Sequence, residues 1–437
     1  MYPINKKNYI SFDSSTKITS NEIELNRKNI SHLNEFNLDL IPRGSGLSYS
    51  LLSAGKDTLS VKLNDNKFVI DENEELVKIS SNYMLGESTK KLINDGFSFY
   101  VLPGHPNVTI GGAISCDVHG KSQNKYGNFG QYVKTIKLYH PKKGFIECSK
   151  EKNNEIYDMT IGGYGMTGII IEADIKIKKL QSLNIITNKK KINNLLELKD
   201  IYNDNFKEFE GVYSWHDLND KKNFGKGFIF FEKISQEYGK HKTIKSTNIS
   251  SEKPNFMWQY TAKIYGKAQN SFFYHFNNLT LNKVSTENYY YSNFSNKKHI
   301  YFKIMRSANF MEKQIIVPIN IWTEFCKFLE INIKQIYCYL CVCKFSYGSK
   351  KFLRFSGSGI SLALNFTVNK ESLDFSKKLD KFCEERKIIL NIYKDSYVDA
   401  DTIKAIFGEE YYQFCNLLNK YDITRVFSSN MSKKLNI

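Results

Sequence analysis

Thr109-Ile110-Gly111-Gly112-Ala113-Ile114-Ser115-Cys116-Asp117-Val118-His119-Gly120-Lys121, entered through Pro103-Gly104-His105-Pro106, is the stretch that decides the fold of this 437-residue chain. Glycine lacks Cβ, so successive backbone N–H groups can turn toward one anion, and hydroxyls such as Thr109 add donors. A second segment of the same kind lies upstream, Pro42-Arg43-Gly44-Ser45-Gly46-Leu47-Ser48-Tyr49. One such loop alone reads as a hairpin turn. Two of them, flanked by Arg43 and His119, read as the halves of a cradle for the phosphates of a dinucleotide.

The surroundings are α+β in texture. Leu59 to Leu63, Lys67 to Ile70 and Leu76 to Ile79 are β-branched runs that predict strands. Leu85, Leu92 and Ile93 recur at helical spacing within Tyr83 to Asn94, and Gly96 supplies the stop. A third glycine segment, Gly163-Tyr164-Gly165-Met166-Thr167-Gly168, satisfies G-x-G-x-x-G. It follows a predicted helix (Asn154 to Met159) and precedes a predicted strand (Ile169 to Ile177), the reverse of a dinucleotide-binding Rossmann turn. That order excludes a Rossmann NAD site.

Composition narrows the class. Hydrophobic residues make up 41% and aromatics 14%, enough for two or three compact cores in a chain of this length. No run approaches the roughly 18 apolar residues of a membrane span, and Met1 to Asp13 lacks the apolar centre of a secretory signal. A cytoplasmic location is the expectation, and a reducing compartment suits eight scattered cysteines. Cys338, Cys341 and Cys343 lie in an aromatic, β-branched run (Ile336 to Phe345), where cysteine packs as a small hydrophobe; no metal is expected. The net charge of +17 fits a solvated lysine-rich surface, and equally a field that gathers phosphorylated substrates, acidic lipid headgroups or nucleic acid.

Beyond about Lys178 the texture changes. Tyr260, Tyr265, Phe272, Phe273, Tyr274, Phe276, Tyr289, Tyr290 and Tyr291 alternate with Lys263, Lys267, Lys297 and Lys298. Such a stretch can stack single-stranded nucleic acid, line an apolar pocket with a cationic mouth, or lie on a membrane. Its spacing fits no RNA-binding signature, so an RNA-binding protein is the minor reading. Leu390 to Tyr393 predicts a strand leading into a helical tail.

The segments Arg43-Gly44-Ser45-Gly46, Thr109 to Ile114, and Gly162 to Ile170 together resemble the FAD domain of the vanillyl-alcohol-oxidase superfamily. Gly111 to Lys121, Tyr393-Lys394-Asp395-Ser396, and Asp422 to Met431 with Leu435 resemble its decaprenylphosphoryl-ribose oxidase branch. The resemblance is loose between Gln181 and Asn309. It implies an FAD-binding domain over residues 1–178, an inserted antiparallel-sheet substrate (cap) domain over 179–388, and a C-terminal segment, 389–437, that returns to the FAD-binding domain.

It also implies the site. FAD would be held by Arg43, Gly44, Ser45, Gly46, Leu47, Ser48, Gly104, Thr109, Gly111, Gly112, Ser115, Cys116, Val118, His119, Gly120, Tyr164, Gly165 and Ile170. Relatives that tether FAD carry a histidine where this chain has Leu47, so the linkage is expected to be non-covalent. Lys394, Tyr49 and His119 would be catalytic. Lys121, Glu312, Gln314, Lys344 and Asn365 would meet substrate, with Glu312 and Gln314 on one face of an edge strand. Glu312 stands where the branch usually has glutamine, Ala363 and Asn365 where it has cysteine and aspartate, and Tyr164 where asparagine is common; the pocket is altered.

The implied activity is oxidation of a secondary hydroxyl of a sugar to a keto sugar by hydride transfer to flavin N5. The sugar would be a polyprenyl-phosphate-linked pentose. Its partner would be a short-chain NAD(P)H-dependent reductase that completes an epimerisation, with peripheral contact at the inner face of the membrane. The alternative is an aldonolactone or free-sugar oxidase; the missing tether and the Tyr393-Lys394-Asp395-Ser396 motif count against it.

Overall fold

A computed structural model of the chain describes residues 3–202, 204–236, 256–294 and 298–437. Three sheets carry the described residues. The first runs in the order β1 (Asn5–Ile10), β2 (Lys17–Leu25), β4 (Thr58–Leu63), β3 (Asp39–Pro42), with β2, β4 and β3 parallel. The second runs β5 (Phe68–Asp71), β6 (Leu76–Ser80), β10 (Ile169–Lys179), β8 (Val133–His140), β9 (Gly144–Ser149), and β7 (Phe97–Phe99) pairs the far end of β10. Leu40, Leu59 and Val61 of the first sheet pack on Tyr139, Ile169 and Ile171 of the second, which fixes the two sheets face to face.

The third sheet has eight strands, all antiparallel: β14 (Ser285–Asn288), β11 (Asn184–Ile192), β13 (Lys226–Ile234), β12 (Gly211–Asp217), β16 (Leu340–Ser346), β17 (Gly359–Thr367), β15 (Phe310–Val317), β18 (Ile389–Leu390). Every residue of β15 is buried, including Glu312, Lys313 and Gln314, because both of its faces are covered. Alternation therefore sends Glu312 and Gln314 one way and Lys313 the other.

Two sequence expectations change. β15 is not an edge strand: β17 flanks it throughout, and β18 pairs with Ile315 and Ile316 on its other side. The strand predicted over Leu390 to Tyr393 is only Ile389–Leu390; the chain then turns through a 3-10 helix, Ile392–Lys394. The apolar run was real, and Asn391 carries the pairing one residue further by donating its N–H to the Gln314 carbonyl at 2.9 Å, after which the chain leaves β15. The tail is helical as expected (Ala400–Phe407, Glu409–Tyr421, Asn430–Leu435), and Phe427 bridges back to Leu40 beside β3.

Candidate active site

The two glycine loops meet. A Cβ on Gly44 would lie 2.3 Å from the Thr109 hydroxyl oxygen, so only glycine permits this approach. Thr109 caps the short helix Ile110–Ser115, accepting the Gly112 N–H at 3.2 Å. The third segment closes on the same place: Gly162 N–H donates to the Ile114 carbonyl and Tyr164 N–H to the Ser115 carbonyl. Gly165 (φ +83°) would press a Cβ against Pro42 at 3.1 Å.

Within the first loop the N–H groups of Gly44, Ser45, Gly46, Leu47 and Ser48 make no hydrogen bond to any of the described residues. Five consecutive donors without internal partners, half-buried, are costly unless an anion or solvent takes them. Arg43 is spent on holding this loop. Its guanidinium lies 3.8 Å over the Tyr9 ring, donates to Ser53 Oγ at 3.1 Å, and abuts Gly46. Leu47 offers no nucleophilic atom. This cradle fits the pyrophosphate of a dinucleotide held by contacts alone.

Facing the loops is the inner side of the third sheet. Glu312 and Asn365 are direct cross-strand partners on β15 and β17. The Asn365 amide donates to Glu312 Oε2 at 2.9 Å, the Tyr49 hydroxyl donates to the same oxygen at 3.1 Å, and Lys394 Nζ lies 3.4 Å from Glu312 Oε1. Lys394 also stands 4.0 Å over the Tyr49 ring. Burial first, and then the Glu312 carboxylate, hold the Tyr49 hydroxyl well above the ordinary phenol range. Tyr49 is thus a fixed donor.

A second bond joins loop to sheet. Gln314 Nε2 donates to His119 Nε2 at 3.0 Å, with the amide orientation set by Asn391, whose side chain donates to Gln314 Oε1 at 2.7 Å. Burial first, then the nearby Lys344 and Lys394 cations, push the His119 pKa well below its ordinary value. His119 is neutral, its proton is on Nδ1, and that buried atom makes no hydrogen bond of ordinary geometry among the described residues. A buried donor left over beside a five-donor cradle suits a polar ring system seated there.

The remaining expected residues sort by position. Cys116 feels both Asp117 and Lys394; desolvation carries its pKa up to about 12, so the thiol stays protonated. Val118, Gly120, Tyr164 and Ile170 are buried around the loops, with the Tyr164 hydroxyl donating to the Leu353 carbonyl at 2.7 Å. Gly104 lies exposed at the loop entrance. Lys344 sits opposite Tyr213 on the same sheet face. Lys121 stands apart, with Nζ taken by Glu232 at 2.6 Å and Ser292 at 2.7 Å. No cluster of three or more metal-ligating side chains occurs among the described residues.

Sequence reasoning missed Asn391 and Tyr301, which donates to Asn365 Oδ1 at 3.1 Å. A lone amide inside the apolar run Ile388 to Ile392 was the available signal for Asn391. Tyr301 carried none, being one tyrosine among many. Also unforeseen was the ion cluster behind β15: Lys313 Nζ is held by Asp380 Oδ1 at 2.7 Å and Asp395 Oδ2 at 2.5 Å.

Cradle and sheet face together define a class. Residues 25–149, which include both glycine loops, match the family described as FAD binding domain, and the chain is an FAD-dependent oxidoreductase. Among individual proteins it is similar to the decaprenylphosphoryl-beta-D-ribose oxidase of Mycolicibacterium smegmatis: 25% identical over 416 residues, covering 91% of this chain and 89% of that one. It is also 25% identical over 108 residues to the human Delta(24)-sterol reductase, covering 25% of this chain and 21% of the relative. Its fold is that of the cholesterol oxidase from Brevibacterium sterolicum, with a TM-score of 0.73 at 11% identity over 99% of this chain and 97% of that one. Among the described residues no helix is long and apolar enough to cross a membrane.

Proposed function

We propose that this flavoenzyme oxidises a secondary hydroxyl of a sugar carried on a polyprenyl phosphate to a keto sugar, the first half of an epimerisation. The third sheet then acts as the cap over the substrate. Bound FAD supplies the acceptor for the two electrons and the carbinol hydrogen. The protein has to position the carbinol, stabilise charge on its oxygen and receive the hydroxyl proton.

One observation supports this most: Lys394, Tyr49, Glu312 and Asn365 form a single hydrogen-bonded and ion-paired group facing the loop junction. Lys394, beside a carboxylate, serves as a charged anchor for the alcohol oxygen. Glu312 is the proton acceptor, with one oxygen held by two neutral donors and the other toward Lys394. Tyr49 and Asn365 keep that carboxylate from rotating. His119 and Gln314 hold each other, which fixes the imidazole proton on the atom that faces away from the amide. The similarity to a ribose oxidase over nearly the whole chain supports the pentose and its lipid carrier. A keto product requires a separate hydride donor to complete epimerisation, so the partner is a short-chain NAD(P)H-dependent reductase.

Lys394→Ala tests the reading. Anaerobic mixing with a short-chain polyprenyl-phosphoryl pentose should bleach the flavin of the wild type. The variant should keep its flavin and bleach at least about a hundredfold more slowly. Bleaching of the variant at the wild-type rate would remove Lys394 from the chemistry and the reading with it.

A further inference from the structure

The helix Phe256–Leu279 turns several of its large apolar residues outward. It buries small or amide residues: Ala262 against Ile304 and Ala308, and Gly266, Asn270 and Asn277 further along. A Cβ on Gly266 would lie 2.4 Å from the Tyr339 ring, so the helix sits close. Phe273 packs on Trp215 at 4.9 Å between centroids, and Tyr274 on Phe228 at 5.5 Å. On the outer face stand Ile264 (71% exposed), Phe272 (71%), Phe276 (52%) and Leu279 (81%), the last three lying eight, twelve and fifteen residues beyond the first on one side of the helix. The rings of Phe272 and Phe276 stack at 5.8 Å along it, and Val284 extends it past the helix end. A helix facing water shows the opposite arrangement. Isolated exposed apolar residues are ordinary, whereas a cluster such as Phe272, Phe276, Leu279 and Val284 marks a surface that something covers.

Charge says what covers it. From Phe256 to Thr286 the sequence has no Asp or Glu and carries Lys263, Lys267 and Lys283. Lys263 and Lys267 are exposed along one border of the stripe. On the other border Lys189 of β11 lies 5.9 Å from the Phe276 ring. An apolar row between lysines, with no carboxylate, complements a bilayer whose headgroups are anionic. We propose that the outer face of this helix docks the enzyme on an anionic lipid surface.

The location adds a use. Tyr265, on the same helix, packs against the cluster that holds Tyr301 and Tyr49, and Tyr301 bonds Asn365 beside Glu312. The docked helix is therefore one wall of the site, placed to receive a substrate that stays in the membrane. That last step rests on the function proposed above; the docking itself does not.

The FAD-loaded full chain is sedimented with vesicles of phosphatidylcholine alone or mixed with phosphatidylglycerol, at low ionic strength. Binding should require phosphatidylglycerol and should fall at least about tenfold in the Phe272→Ser/Phe276→Ser/Leu279→Ser variant. Flavin content and melting temperature should match the wild type, which establishes that the variant is folded. A wild type that stays in the supernatant, or a variant that sediments equally, overturns the proposal. So does a wild-type oligomer that the triple variant dissolves, because the stripe would then be an interface between copies. Bleaching by lipid-borne substrate is read on the same samples: vesicle binding without bleaching supports docking and counts against the substrate reading alone.

Discussion

The cofactor cradle and the sheet face opposite it are built on different principles. The cradle works with backbone: N–H groups from Gly44 to Ser48, and a glycine at 44 that lets Thr109 approach. Its side chains mostly point elsewhere, as Arg43 does toward Tyr9 and Ser53. The sheet face works with side chains brought from three strands or turns: Glu312, Asn365 and Lys394 in one network, and Gln314 bonded separately to Asn391 and His119. A backbone cradle tolerates change in everything except its glycines. A side-chain network can be rewritten residue by residue while the cradle stays.

The comparison breaks most sharply at Gly44. Gly44→Val places carbon where Thr109 stands, so the purified variant should be colourless although the third sheet still folds; absorbance after gel filtration reads it. Lys394→Ala should do the reverse and stay yellow. A yellow Gly44→Val protein would mean that the loops do not form the cradle.

Next in size is Lys313, behind the sheet face. The side chain is 2% exposed; burial alone would lower its pKa, yet Asp395 and Asp380 outweigh burial and raise it. Lys313→Met leaves two buried carboxylates without their cation and should cost about 3–5 kcal/mol in denaturant unfolding. Asp395 directly follows Lys394 and also accepts the N–H groups of Tyr397 and Val398, so the same loss should loosen the turn that carries Lys394. An unchanged unfolding midpoint would show that the cluster does not brace the sheet face.

The smallest effect concerns how dry the back of the sheet is. His216 on β12 has its pKa lowered to about 4, by burial first, against the pull of the Gly225 carbonyl. Below about pH 6.5 the unfolded chain binds a proton that the folded one refuses, so stability falls as pH drops from there to about 4 and is level above. The contribution is about 1.4 kcal/mol per pH unit per histidine. His216→Gln should remove that much of the slope in melting free energy against pH, and an unchanged slope would mean that His216 protonates in the fold.

How much of this could be read beforehand follows the same division. The cradle was legible because its chemistry is local: glycines and hydroxyls within a few residues announce unpaired N–H groups. Glu312, Gln314 and Lys394 were found only through resemblance, because nothing near Lys394 in sequence distinguishes it from a surface lysine paired with Asp395. In the structure Asp395 pairs with Lys313 instead, and Lys394 faces Glu312. Tyr301 and Asn391 were not found, since their roles depend on partners on other elements. The turn after Leu390 was misread because an apolar run does not report where its pairing with β15 stops and the 3-10 helix Ile392–Lys394 begins.

The link between Ser396 and Tyr49 spans 347 residues of sequence, the Ser396 hydroxyl donating to the Tyr49 carbonyl at 2.6 Å while Tyr49 N–H donates to Tyr393. A ribosome makes the first loop 347 residues before the strap that secures it. The lysine and the tyrosine can meet only once the stretch between them has emerged, so a nascent chain, or one cut before Tyr393, can hold the early sheets yet has no assembled reaction centre.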